Sequence, residues 1–212
     1  PSSLNSDEIT LGQAKAFDMV LRRFVEDCVT QEDCPLPRDV DAGVARIQQF
    51  LDDLDQNPLP GIGDRVLTEA LGTYAILSYL YFPPTDWDVL RFGLEAAFDG
   101  DGSVLMDMMD SRIQRRPDGT FDNNGNEAFY AVSCLDRPAV GGVEHAEQLA
   151  QEWAIEAPVF GPYLAWGNLP CWEWPMGAGT AEARGELPVF RAEGSGPILV
   201  VSTKYDPATP YE

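Results

Sequence analysis

The run Gly196-Pro197-Ile198-Leu199-Val200-Val201-Ser202-Thr203-Lys204-Tyr205-Asp206-Pro207-Ala208-Thr209-Pro210 lies near the end of the chain and decides how the rest is read. Ile198 to Val201 is an unbroken aliphatic stretch, the pattern of a strand buried on both faces of a parallel sheet. An acid, Asp206, follows on a turn stiffened by Pro207 and Pro210. In open α/β sheets, catalytic groups gather on loops at the carboxyl ends of strands, so Asp206 is the first candidate for chemistry. A single strand cannot form a sheet core, however. Its partners must be sought elsewhere.

The residues upstream do not supply them, because they read as helices. Residues 6–29 carry Ala14, Phe17, Leu21, Phe24, Val25 and Cys28 at helical spacing, with Asp7 and Glu8 suited to the helix start. Val40, Val44, Ile47, Leu51 and Leu54 form a second stripe that ends at Asn57-Pro58. A polar turn from Gly61 to Arg65 leads to a third helix over Thr68 to Tyr81, apolar almost all round and hence buried. Thr85-Asp86-Trp87-Asp88 opens a fourth helix, and Gly100 sits where a C-cap is wanted. Ser103 to Arg115 gives a fifth, whose methionines read as adaptable core packing.

Past the polar loop Asp118 to Asn126, periodicity leaves Glu127 to Leu135 open between helix and strand. Val143 to Ala157 is a sixth helical pattern. An aromatic and proline-rich run from Pro158 to Pro175 follows. Residues 177–196 are linker-like, with a short extended piece expected at Leu187 to Phe190. The fold expected from the residues is therefore mainly α, with one short core-type strand near the C-terminus. Residues 1–176 form the helical region, 177–196 a linker, and 197–212 the start of a sheet-bearing core segment.

Composition narrows the function classes. A formal net charge of −21 repels phosphate backbones, and the longest basic run is Arg115-Arg116, so nucleic acid is not an expected partner. The acidity reads chiefly as a solvated surface, although acids near a site would attract a cationic group such as a free amino terminus. No apolar run reaches the ~18 residues that a membrane span needs. Four cysteines allow three pairings. Cys28 and Cys34 flank a short polar loop, so their local bridge is the natural choice, which leaves Cys134 with Cys171. Disulfides imply an oxidising, extracytoplasmic compartment; four buried free thiols in a cytosolic protein are the alternative. With no CxxC and only His145, far in sequence from any cysteine, neither a metal nor a cofactor is expected.

Several patches together resemble one family. They are Asp18 to Cys34, with Phe24-Val25-Glu26-Asp27-Cys28 and then Asp33-Cys34-Pro35-Leu36, together with Pro58-Leu59-Pro60, Tyr81-Phe82-Pro83-Pro84 before Trp87, and Gly100-Asp101-Gly102. Stronger still are Ala131-Val132-Ser133-Cys134-Leu135-Asp136, the patch from Cys171 to Trp174-Pro175, and Asp206-Pro207-Ala208-Thr209-Pro210-Tyr211-Glu212. Their order resembles secreted actinobacterial tripeptidyl aminopeptidases and related α/β-hydrolases. The resemblance implies that residues 1–176 are a cap (lid) inserted into an α/β-hydrolase, and that Asp206 is the acid of a Ser–Asp–His triad. A cap of this kind would roof the site and limit substrate length.

Site expectations follow from that resemblance. Recognition of a protonated α-amine calls for carboxylates on the roof, with Asp136 first, beside Cys134, and Glu127 and Glu173 next. Trp172, Trp174 and Phe160 are expected to line apolar side-chain pockets. Thr209, three residues after Asp206, is placed to donate its hydroxyl to the carboxylate. The family's nucleophile elbow, G-x-S-x-G, does not occur in the sequence. His145 precedes Asp206, where the fold's order Ser, Asp, His requires a later histidine, and it reads as an ordinary surface residue. The chain is thus expected to be a piece of a longer protein, inactive by itself, whose remaining core lies elsewhere and whose substrate is a peptide with a free amino terminus. A same-fold hydrolase of esters or other small substrates, and a stand-alone helical binding module adding its strand to a partner's sheet edge, are the alternatives.

Overall fold

The computed structural model describes residues 6–82, 85–136, 141–174 and 193–209. Among them the chain forms nine helices and one two-stranded hairpin. Helix α1 (Ser6–Cys28) is the central element, and Phe17, Val20, Leu21, Phe24, Val25 and Cys28 are all buried along it. The Cys28–Cys34 disulfide closes the turn that follows. Asp39 then caps α2 (Val40–Gln56), its side chain accepting the Ala42 N–H at 2.9 Å.

The turn at Gly61–Arg65 proves to be a hairpin, with Leu59–Pro60 (β1) antiparallel to Val66–Leu67 (β2). Sequence reading missed it because two-residue strands carry no periodicity. Arg65 anchors the hairpin through a bidentate pair with Asp110, at 2.5 and 2.9 Å. Gly102 lets it lie close, since a Cβ there would meet the Pro60 carbonyl at 2.9 Å and Leu67 Cβ at 2.7 Å.

Thr68 caps α3 (Glu69–Ser78), which ends before the expected Tyr81 because Tyr79 and Leu80 turn to i−3 carbonyls. Helix α4 (Thr85–Phe98) stops at Gly100, which takes φ +96° while Gly100 N–H donates to Ala97 and Asp101 N–H to Ala96. That is a Schellman stop, and it needs a residue free to enter the left-handed region. Helix α5 (Ser103–Arg112) packs on α3 and α4, with Met106, Met108 and Met109 in the core as expected. It ends three residues before Arg115, as Gln114 swings to φ 54°.

The stretch left open by periodicity is helical, α6 (Gly125–Asp136). It precedes α7 (Val143–Glu156), α8 (Gly161–Leu164) and α9 (Leu169–Trp172). Cys134 and Cys171 are bonded, with Cα atoms 4.9 Å apart, so α6 is tied to α9. Leu149, Trp153 and Ala165 make a small second core beside the main one, which spans α1 to α5. The expected extended piece at 187–190 lies outside the described residues. Ile198 to Val201 has no strand partner among the described residues, and its four side chains stand between 71% and 87% exposed. The strand expected there is not formed among the described residues.

Candidate active-site segment

The apolar run leads into a turn that closes on its own carboxylate. Asp206 Oδ1 accepts the backbone N–H of Ala208 and of Thr209, each at 3.0 Å. Its Oδ2 accepts the Thr209 hydroxyl at 2.7 Å. Pro207, rigid at φ, is buried between them and sets the turn. The Thr209 backbone N–H is the main influence holding the Asp206 carboxyl below its ordinary range, with the Thr209 hydroxyl next and the Ala208 N–H and Thr203 side chain adding to it. Asp206 is thus a fixed anion with lone pairs to spare.

The loop is seated on α1. Gln13 Nε2 donates to the Ala208 carbonyl at 2.7 Å. Arg23 donates to the Tyr205 hydroxyl and stacks over its ring, 4.5 Å from the centroid. Tyr81 lies within the field of Asp206, and its hydroxyl is pushed up chiefly by burial and then by Tyr74 and Asp206.

His145 is not a partner of this carboxylate. Its Nε2 lies 2.9 Å from Asp7 Oδ2, and both side chains are partly buried. The expectation of an ordinary surface histidine is corrected: His145 bridges α7 to the start of α1. A cavity of about 10 Å³, room for roughly one water, is lined there by Asp7, Gly142, His145 and Asn168, and does not reach the Asp206 turn.

The remaining expected residues fall on the disulfide-joined pair α6 and α9. Asp136 ends α6, and its side chain lies outside the described residues. Trp172 ends α9, and Glu173 follows it; both are exposed, while Trp174 is partly buried. Glu127 is exposed in the first turn of α6, nine residues from Asp136 or about 13 Å along the axis. The bridge therefore brings the Asp136 end of α6 to Trp172 and Glu173 and leaves Glu127 apart. Phe160 is corrected from pocket wall to core: it is fully buried, edge-on to Phe17 at 5.9 Å.

Sequence reasoning missed Asp18. It lies on the buried side of α1 and accepts the Val159 N–H at 3.1 Å and the Phe160 N–H at 3.0 Å, closing the entry to α8. Burial pushes its carboxyl up to about 6 against the pull of those two bonds. The available signal was position, since Asp18 falls beside Ala14, Phe17 and Leu21 on the apolar stripe. Also missed was a row of tyrosines between α3, α6 and α8. Tyr163 is raised to about 12 by burial first and then by Tyr130, Tyr74 and Glu69.

Residues 157–212, which include the Asp206 turn, match the family described as TAP-like protein, an α/β-hydrolase family. Carboxylesterase B of Mycobacterium tuberculosis is 30% identical over 97% of this chain and 39% of its own length. Serine protease Hip1 of the same organism is 28% identical, over 97% of this chain and 40% of its own. Tripeptidyl aminopeptidase of Streptomyces lividans is 29% identical over 53% of this chain and 20% of its own. The chain spans about two fifths of the length of the first two relatives. The chain is thus similar to TAP-like proteins in its Asp206 segment and to these hydrolases along nearly its whole length.

Proposed function

We propose that this chain is the cap and triad-acid segment of a secreted serine hydrolase that takes the free amino termini of peptides. Residues 1–176 roof the site, 177–196 link, and 197–212 begin the return into the hydrolase core. One observation carries the reading: an ionised Asp206, held by three donors of its own turn directly after an apolar core-type run. That is what the acid of a Ser–Asp–His triad requires, because it must orient an imidazole and stabilise the imidazolium formed during acyl transfer.

The nucleophile and the histidine come from outside this chain. Its sequence holds no G-x-S-x-G, and its one histidine is engaged by Asp7. The 212 residues alone are accordingly inactive, and the chemistry calls for no metal or cofactor. Thr209 positions Asp206. Asp136, Glu127 and Glu173 supply negative charge for the substrate's α-amine, with Trp172 and Trp174 as apolar walls. The meeting of the Asp136 end of α6 with Trp172 and Glu173 at the disulfide supports this division of roles. Two disulfides fit an extracytoplasmic protein.

The test is hydrolysis by the complete protein of unblocked and N-acetylated tripeptide amides. Release from the unblocked peptide alone supports an aminopeptidase; equal rates on both sink the amine-recognition role. A second reading, an esterase of the same fold, is favoured by the similarity to a relative named carboxylesterase. Hydrolysis of short-chain esters with inert peptides would establish that reading instead.

A further inference from the structure

Helix α6 exposes a surface that the proposed chemistry does not use. Its charges stand only at Glu127 and Asp136, and Cys134 is the one buried residue among its described side chains. Phe129, Val132 and Leu135 recur every three residues and therefore form one strip. They are 64%, 58% and 50% exposed. A twelve-residue helix is marginal without tertiary packing, and a contiguous apolar strip marks a contact surface. The disulfide to Cys171 holds only one side of it.

We propose that Phe129, Val132 and Leu135 are the seat of the α/β core, packing on residues of the complete protein outside this chain. The inference rests on the reading that the chain is part of a longer hydrolase. Three observations choose this occupant. The two long relatives carry roughly three fifths of their length beyond the matched region, enough chain to cover the strip. The strip is uncharged in a protein of net charge −21, so an ionic partner has nothing there to grip. The other uncovered apolar run, Ile198 to Val201, leads into the Asp206 turn. The same outside chain that supplies a sheet for that run supplies apolar surface for the strip.

The test uses the full-length protein without substrate. Hydroxyl-radical footprinting should show loss of Phe129 and Leu135 reactivity relative to the unfolded chain, and Val132→Lys should lower Tm by about 4 °C or prevent folding. Full reactivity of the strip in the wild-type protein overturns the proposal. So does a Val132→Lys protein with unchanged Tm and a raised KM, which would place the strip in the substrate cleft. Asp206→Asn in the same protein reports separately on the functional reading. Retained hydrolysis would sink that reading while the footprint still judged the packing.

Discussion

Asp18 and Asp206 each accept two backbone N–H groups at about 3 Å, yet their acidities move in opposite directions. Asp18 is enclosed between α1 and α8, and loss of solvent outweighs its two bonds, raising it to about 6. Asp206 stands on an open turn, keeps its water, and gains a hydroxyl donor from Thr209, so the same kind of bond lowers it. Hydrogen bonds alone do not set a carboxylate's charge; the surrounding solvent decides which influence wins. One acid is suited to joining helices, the other to remaining an anion for a partner.

The largest expected effect separates these roles. On the proposed triad role, Asp206→Asn in the complete protein should cut kcat by about 10⁴-fold, since a neutral amide cannot hold the histidine in its working tautomer. The variant should fold normally, because the lost charge was solvated. Asp18→Asn should leave kcat within about threefold in the same assay. Comparable losses of kcat in both variants would erase the distinction.

The second effect is a pH dependence. Asp18 titrates near 6 in the fold and near 3.9 when unfolded, so the native state binds more protons between those values. Stability therefore falls as pH rises through roughly 4 to 6 and is flat above it, by at most about 3 kcal/mol from this group. Denaturant melts at pH 4 and pH 7 measure it when the wild-type protein is compared with Asp18→Asn, which cannot ionise. Their stability difference should change by about 2–3 kcal/mol between the two pH values. Parallel behaviour would show that Asp18 is no more desolvated than Asp206.

The same contrast explains what was legible in the sequence. The buried stripe of α1 has a strong period, and so do the stripes of α2 and α4; they needed no tertiary information. Periodicity did not settle helix α6 because its apolar residues lie on more than one face: Phe129, Val132 and Leu135 are exposed in a strip while Cys134 is buried. The hairpin was too short to show one. The Asp206 turn was visible because its donors are local: Ala208 and Thr209 follow within three residues. Asp18 was not, since its donors come from residues 141 and 142 positions away. A carboxylate on a helix reads as surface until the element packed against it is known.

The smallest effect tests the extra donor that distinguishes the Asp206 turn. Thr209→Val keeps the backbone N–H and the side-chain shape but removes the hydroxyl that lies 2.7 Å from Oδ2. A hydrogen bond to a charged group contributes about 1.5–3 kcal/mol. Only the part felt in the transition state reaches the rate, so a fall in kcat/KM of about tenfold is expected, mostly in kcat. The freed Oδ2 should also become more basic, moving the acidic limb of the pH–rate profile upward. Thr209→Ser restores the hydroxyl and should recover most of the activity, which a helix-start or packing role for the methyl group would not produce. If Thr209→Val stays within about twofold of wild type, the two backbone donors suffice to hold Asp206. Its difference from Asp18 would then lie in solvent exposure alone.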